Sequence, residues 1–552
     1  MDHRTSRAAR AGLRPMLAVA AMLAGVATSS PADADTYPRQ PGVDVRHYVF
    51  RVTLRDDVDE VEGEATVEVG FDRAGVSELA LDLASARGGK GMTVAGVRSG
   101  SGPSAFAHAD DRLRIAVEPP STAGERRAYT VRYRGVPAAG LRIGPNKHGE
   151  RTFFSDHWPD RARGWLPTVD HPSDKATSEL VVTAPARYQV VSNGLLVEET
   201  DLGDGRRTTH WRESVPIASW LNALGVAQFA SRHAGAVGGV PVEVWSFHQD
   251  REAGPRSLEG PSRRALAFFA DRVGPFPYEK LGGVEAAGID GGMELAGAIF
   301  YGEKAVDGKP ATSLVSHEVA HQWFGDSVTE RDWDDVWLSE GFATYFALLF
   351  DEHDSGRDAF VAGLIKSRSK VLATEAENPG LAVIHPNLAD TRKVLNRLVY
   401  EKGAWFLHML RHRIGDDFFH DGIRAYYRRH RDGNVSTADF RRAMEEASGQ
   451  DLGPFFAQWL VRPGSPRVEG TWGYDAATGR VSVVLEQAQA GAPFVLPIEV
   501  GIAETGAAAP RIERVELTGK SHRFEFKAGT EPSSVVLDPE TWALIDARFS
   551  RR

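Results

Sequence analysis

The sequence contains no cysteine. Disulfides, thiolate metal ligands and a lipid-bearing cysteine are therefore excluded, and any metal must sit on His, Asp or Glu. There is no excess of positive charge either: 65 Lys and Arg stand against 75 Asp and Glu, a formal net charge of −10. A surface of that sign does not track phosphates, so no nucleic-acid partner is expected. Apolar runs of bilayer length are missing. One run, Leu17 to Thr28, is too short to span a membrane as a helix. Internal repeats at solenoid periods are also absent.

What is present is ordinary globular material. The chain has 552 residues, 42% hydrophobic and 25% charged, enough for several cores and unlike a disordered, collagen-like or coiled-coil protein. At the start, Arg4, Arg7, Arg10 and Arg14 precede the short apolar run, and Ala32-Asp33-Ala34 follows it as a small-x-small cleavage site. Residues 1–34 thus read as a signal peptide, and the mature protein is expected to be secreted or periplasmic, with no membrane attachment after cleavage.

The remaining chain changes texture twice. From 35 to 232, apolar and polar residues largely alternate in short runs such as Tyr48 to Leu54, Gly63 to Val69 and Ser178 to Ala184, separated by Gly, Pro, Asn and Asp clusters. That predicts an N-terminal antiparallel β-rich domain. From 233 to 462, apolar residues recur at three- and four-residue steps, in Arg263 to Val273, Leu314 to Phe324, Gly341 to Leu349, Lys402 to Arg413 and Thr437 to Ala447, which predicts a mainly helical domain. Ser436 with Asp439 is a capping signal for the last helix. After Pro463-Gly464, strand spacing returns and predicts a small C-terminal β-sandwich over 463–552. The expected class is α+β and multidomain.

The chemistry concentrates in Leu314 to Phe324, which holds His-Glu-x-x-His. At 3.6 residues per turn His317 and His321 share one helix face and can reach one cation, while Glu318, about 100° away, points beside it as a base for water. Glu340, at the start of the next helical pattern, supplies the carboxylate that completes a three-ligand zinc site with an open fourth position. His157, His171, His233, His248, His353 and His385 lack i, i+4 partners and read as surface or hydrogen-bonding residues. Asp326 and Thr344 are candidates to support the ligands.

These residues, with Trp337 to Ala343, Asp44 to Tyr48, Leu166 to Pro172, Lys175-Ala176, Ser192-Asn193-Gly194, Gly291 to Glu294, Val399 to Ala404 and Phe456 to Leu460, resemble the zinc aminopeptidases of the aminopeptidase N family, the gluzincins. The resemblance implies a thermolysin-like catalytic domain, one zinc ion per chain on His317, His321 and Glu340, and hydrolysis of the N-terminal peptide bond of peptides with a free amine. It also implies Glu318 as general base and Tyr400 as the oxyanion donor. Gly291, Gly292, Met293 and Glu294 resemble the segment that lays the substrate down as an added strand, with Glu294 taking the ammonium. Three positions depart from the family: Leu295 replaces its Asn, and Asp156 and Trp158 stand where relatives carry a Gln and a Gln or Glu. Asp156 is a candidate second carboxylate for the ammonium. The large helical domain with which many relatives continue has no counterpart in the pattern. A zinc peptidase with relaxed N-terminal specificity and a non-catalytic scaffold are the alternative readings, and oligomeric state, side-chain preference and physiological substrate stay open.

Overall fold

The computed structural model describes residues 35–552 apart from 101, 505, 507 and 508; the leader assigned to 1–34 lies outside the described residues. The N-terminal part is β-rich. An eight-stranded sheet runs from the edge strand Leu195–Asp201 through Arg206–Ala218, Lys175–Pro185, Val43–Thr53, Val61–Phe71, Glu125–Val136 and Gly91–Ser99 to Gly102–Pro103. In Lys175–Pro185 every second residue is buried, the signature of a strand with one face on a core. One expectation needs correction: Val43–Thr53 pairs parallel with Lys175–Pro185, so the sheet is not purely antiparallel. The intervening chain wraps around to insert a strand beside the first, a long-range pairing that alternation cannot reveal.

A second correction concerns the start of the helical region. The chain from 229 to 302 forms a five-stranded mixed sheet, ordered Phe229–Val237, Val240–Phe247, Leu281–Ala286, Ala298–Gly302 and Gly292–Met293. Leu281–Ala286 and Ala298–Gly302 are buried at every residue, so no two-residue period marks them. Helices then dominate: α1 (Ala253–Arg272), α2 (Thr312–His321), α3 (Trp337–Ser355), α4 (Arg357–Glu377), α5 (Gly403–Ile414), α6 (Asp416–His430) and α7 (Thr437–Ser448). Periodicity does not mark α4, because Phe360, Leu364 and Val371 are its only buried large apolar residues. The cap on α7 is as expected: Ser436 and Asp439 exchange side-chain to backbone hydrogen bonds. Among the described residues no helix is long and apolar enough to cross a membrane.

The C-terminal part forms two sheets, one of Ser521–Lys527, Arg480–Gln487, Arg467–Asp475 and Asp546–Arg551, the other of Arg511–Leu517, Leu496–Glu504 and Pro532–Leu537. Their buried residues Val481, Val483, Ile498 and Val500 belong to the same apolar cluster as Trp323, Trp337 and Trp405 of the helices. The helices are thus fixed from two sides by one continuous core, which leaves the cleft beside α2 and α3 on a rigid base.

Candidate active site

The helical period of α2 sets His317 and His321 one turn apart on one face, with their Nε2 atoms 3.1 Å from each other. Glu340, in the first turn of α3, brings its Oε2 to 3.6 Å from the first of these nitrogens and 3.3 Å from the second. That buried oxygen has no hydrogen-bond partner, an expensive state unless a cation satisfies it. The Nδ1 of His321 lies 3.2 Å from the Phe324 carbonyl and 3.0 Å from Ser339 Oγ. A proton on Nδ1 can be donated to the carbonyl, the tautomer that leaves Nε2 as the atom to bind a cation. Two imidazoles and one carboxylate, all within 4.8 Å, form the donor set that zinc takes with a position left open. The arrangement therefore fits the metal that the spacing anticipates.

Glycines bring the other groups close. A Cβ on Gly341 would stand 3.0 Å from Gly403 Cα and 3.1 Å from the Val399 carbonyl, so α3 and the π-helical turn Leu398–Lys402 cross with backbone against backbone. That crossing lays the Tyr400 ring almost parallel to the His317 imidazole, centroids 6.3 Å apart. On the other side, a Cβ on Gly292 would lie 2.4 Å from Glu318 Cδ. The edge strand Gly292–Met293 thus rests directly on the carboxylate of Glu318, and any larger residue at 292 would push that carboxylate aside.

Gln322 ties this edge strand to the metal helix. It is fully buried, donates from Nε2 to the Glu294 carbonyl at 2.7 Å and to Asp326 Oδ2 at 2.8 Å, and accepts from the Gly297 N–H at 2.8 Å. Lys175 reaches in from the eight-stranded sheet and donates to the Asp326 and Ser327 carbonyls and to Thr329 Oγ1, at 2.9, 2.8 and 3.0 Å. Asp326 therefore supports the site through Gln322 and the loop after α2, not through an imidazole. Burial, together with the nearby Glu294, pushes the Glu318 carboxyl well above the usual carboxylate range. Burial likewise raises Glu294, and burial with Glu340 beside it raises the Tyr400 hydroxyl, which stays protonated.

The ten residues given metal, catalytic or substrate roles from the sequence line one cavity of about 1140 Å³: His317, Glu318, His321, Glu340, Tyr400, Gly291, Gly292, Met293, Glu294 and Asp156. Thr344 and Trp158 join them there. Leu295 is fully buried and does not line the cleft, so losing the polar residue found in relatives changes the core and not the substrate wall. Asp156 is not a free carboxylate, because Arg142 and Arg161 engage both of its oxygens. The remaining histidines serve structure: His171 binds Asp35, His157 accepts from the Trp165 indole, and His385 contacts the Val394 carbonyl. Ser339 and Gln322 carry no signal in the sequence, although each adjoins a predicted metal ligand; adjacency alone has no direction in space.

Comparison with known proteins agrees. Residues 45–221 match the Peptidase M1 N-terminal domain and residues 262–459 match the Peptidase family M1 domain. The chain is 28% identical over 332 residues to glutamyl aminopeptidase of Rattus norvegicus, covering 57% of this chain and 35% of that protein. It is 29% identical over 331 residues to leucyl aminopeptidase of Saccharolobus solfataricus, covering 56% and 40%. It therefore spans little more than a third of the length of the curated relatives it matches. The crystal structure of the M1 zinc metallopeptidase from Deinococcus radiodurans superposes with a TM-score of 0.66 at 26% identity, covering 79% of this chain and 97% of that one. A His-His-Glu cluster, a glutamate under an edge strand and two matching domains in order together place the chain in peptidase family M1.

Proposed function

We propose that the protein is a zinc-dependent aminopeptidase that hydrolyses the N-terminal peptide bond of peptides. The observation that carries this reading is convergence: the three metal-ligand atoms, the Glu318 carboxylate and the buried Glu294 carboxylate share one cavity. His317, His321 and Glu340 would hold the zinc, which when bound supplies Lewis acidity toward the scissile carbonyl and toward water.

The chain's own groups do the rest. The edge strand Gly292–Met293 offers its backbone to an extended peptide and sets that peptide beside Glu318. Glu318, raised by burial, takes the proton of the attacking water and returns it to the departing amine. Tyr400 keeps its hydroxyl proton and donates it as a hydrogen bond to the carbonyl oxygen as charge develops there. Glu294, buried and held by Gln322, is neutralised by a free α-ammonium; a blocked amine leaves it without a partner, which makes N-terminal recognition a matter of charge. With Asp156 already paired, Glu294 bears this selection alone. We also read 1–34 as the export leader, 35–232, 233–462 and 463–552 as the domains, and the mature enzyme as secreted or periplasmic.

Hydrolysis of a free-amine aminoacyl substrate and of its N-acetylated form, each with and without a chelator, tests the reading. Cleavage of the free amine alone, lost with chelator and regained with zinc, is expected. Equal cleavage of both substrates points to a peptidase without the exopeptidase rule, and chelator-resistant turnover overturns the proposal.

A further inference from the structure

The N-terminal part of the cleft wall carries a charge cluster that this chemistry leaves unused. Asp156 sits between Arg142 and Arg161, with its side chain 8% exposed while those of the arginines are 50% and 40% exposed. Arg142 donates to Asp156 Oδ2 from Nε at 2.7 Å and from Nη2 at 2.6 Å, and Arg161 donates to Oδ1. Two guanidiniums share one carboxylate, so the cluster keeps one positive charge in excess, and it is the guanidiniums that the open cavity meets. Asp290, on the same wall, does not cancel this charge: its side chain is 93% exposed and turns to Lys304 at 3.3 Å.

The cluster also lies close to the expected position of the amine. A Cβ on Gly288 would stand 3.2 Å from Arg142 Cδ, so Arg142 leans on the loop that leads through Gly291 to Glu294. Trp158 and Met293 line the same cavity and give it apolar surface.

We propose that Arg142 and Arg161 select an anionic side chain, aspartate or glutamate, on the first residue of the substrate. The inference rests on the aminopeptidase reading: the ammonium goes to Glu294, the side-chain carboxylate to the guanidiniums, and the methylenes between them to Trp158 and Met293. A cationic first residue is repelled by the same excess charge. Such charge-assisted contacts separate glutamate from its neutral isostere glutamine by about 10–100-fold.

The test compares kcat/KM of the zinc-loaded protein on chromogenic glutamyl, glutaminyl and arginyl substrates, in the wild type and in a double variant carrying R142M and R161M. The wild type is expected to prefer glutamyl to glutaminyl by about tenfold or more. The double variant leaves Asp156 unopposed and is expected to invert the preference toward arginyl. Equal wild-type rates on glutamyl and glutaminyl substrates overturn the proposal, as does a proportionate loss on all three in the variant. Calorimetry of free L-glutamate and L-glutamine on the wild type makes the same comparison without hydrolysis or substitution, and equal affinities overturn it. A wild type that binds L-glutamate preferentially yet cleaves no free-amine substrate refutes the aminopeptidase reading and leaves the cationic pocket standing.

Discussion

The helical wall of the cleft and the wall contributed by the N-terminal strands are built to different tolerances. On the helical wall His321, Glu318, Glu340 and Gln322 are at most 5% exposed, each is fixed by a neighbour, and Gly292 leaves no room for a single added methyl group. On the strand wall Arg142 and Arg161 are about half exposed and face an open volume. A close-packed wall holds reacting groups within a few tenths of an ångström, and a half-solvated wall can change its side chains without disturbing that geometry. On the proposed reading, catalysis and recognition of the free amine belong to the first wall and the choice of first side chain to the second.

The comparison can be broken most forcefully at the metal. His321→Ala is expected to abolish zinc binding and all turnover, since two remaining ligands do not hold the ion; metal analysis of the purified variant checks it, and full zinc content would detach the cluster from the proposed role. Glu318→Ala is expected to keep zinc and lose about 10²–10⁴-fold in kcat, because a base and not a ligand is removed; metal content measured beside single-turnover rates separates the two. Tyr400→Phe should lower kcat by about 10²–10³-fold with KM nearly unchanged, its hydrogen bond forming chiefly in the transition state. A change confined to KM would make Tyr400 a binding residue.

A smaller effect sharpens the contrast within the helical wall. Gln322→Met keeps the volume but leaves the Glu294 carbonyl and the Gly297 N–H without their buried partner, about 1–3 kcal/mol of lost stability. We expect a lower Tm and an increase in KM of roughly tenfold for free-amine substrates, with zinc content and kcat nearly unaltered. A lower Tm with KM unchanged would show that Gln322 only supports the fold.

Much of the helical wall is legible in the order of its residues. His317 and His321 must share a face because the helix repeats every 3.6 residues, and the Ser436 cap on α7 follows from side chains three positions apart. The alternating strand Lys175–Pro185 announces itself by its period, whereas Leu281–Ala286 does not, because a strand buried on both faces has no alternation to show. Asp156 illustrates the same limit in charge. It lines the cleft as expected, yet its role depends on Arg142 and Arg161, one on a neighbouring strand and one beyond a turn, and no local pattern says where a guanidinium will fold back.

What the amino-acid order determined by itself was therefore local and periodic, a donor pair one turn apart, a base set beside it, caps and alternating strands, together with Glu340 as the third donor. Tertiary structure alone decided that Gly341 and Gly403 let Tyr400 approach, that the strand of Gly292 covers Glu318, and that two arginines occupy Asp156. The reason is that backbone geometry propagates over a few residues, while contacts between distant segments depend on which surfaces the whole core brings together.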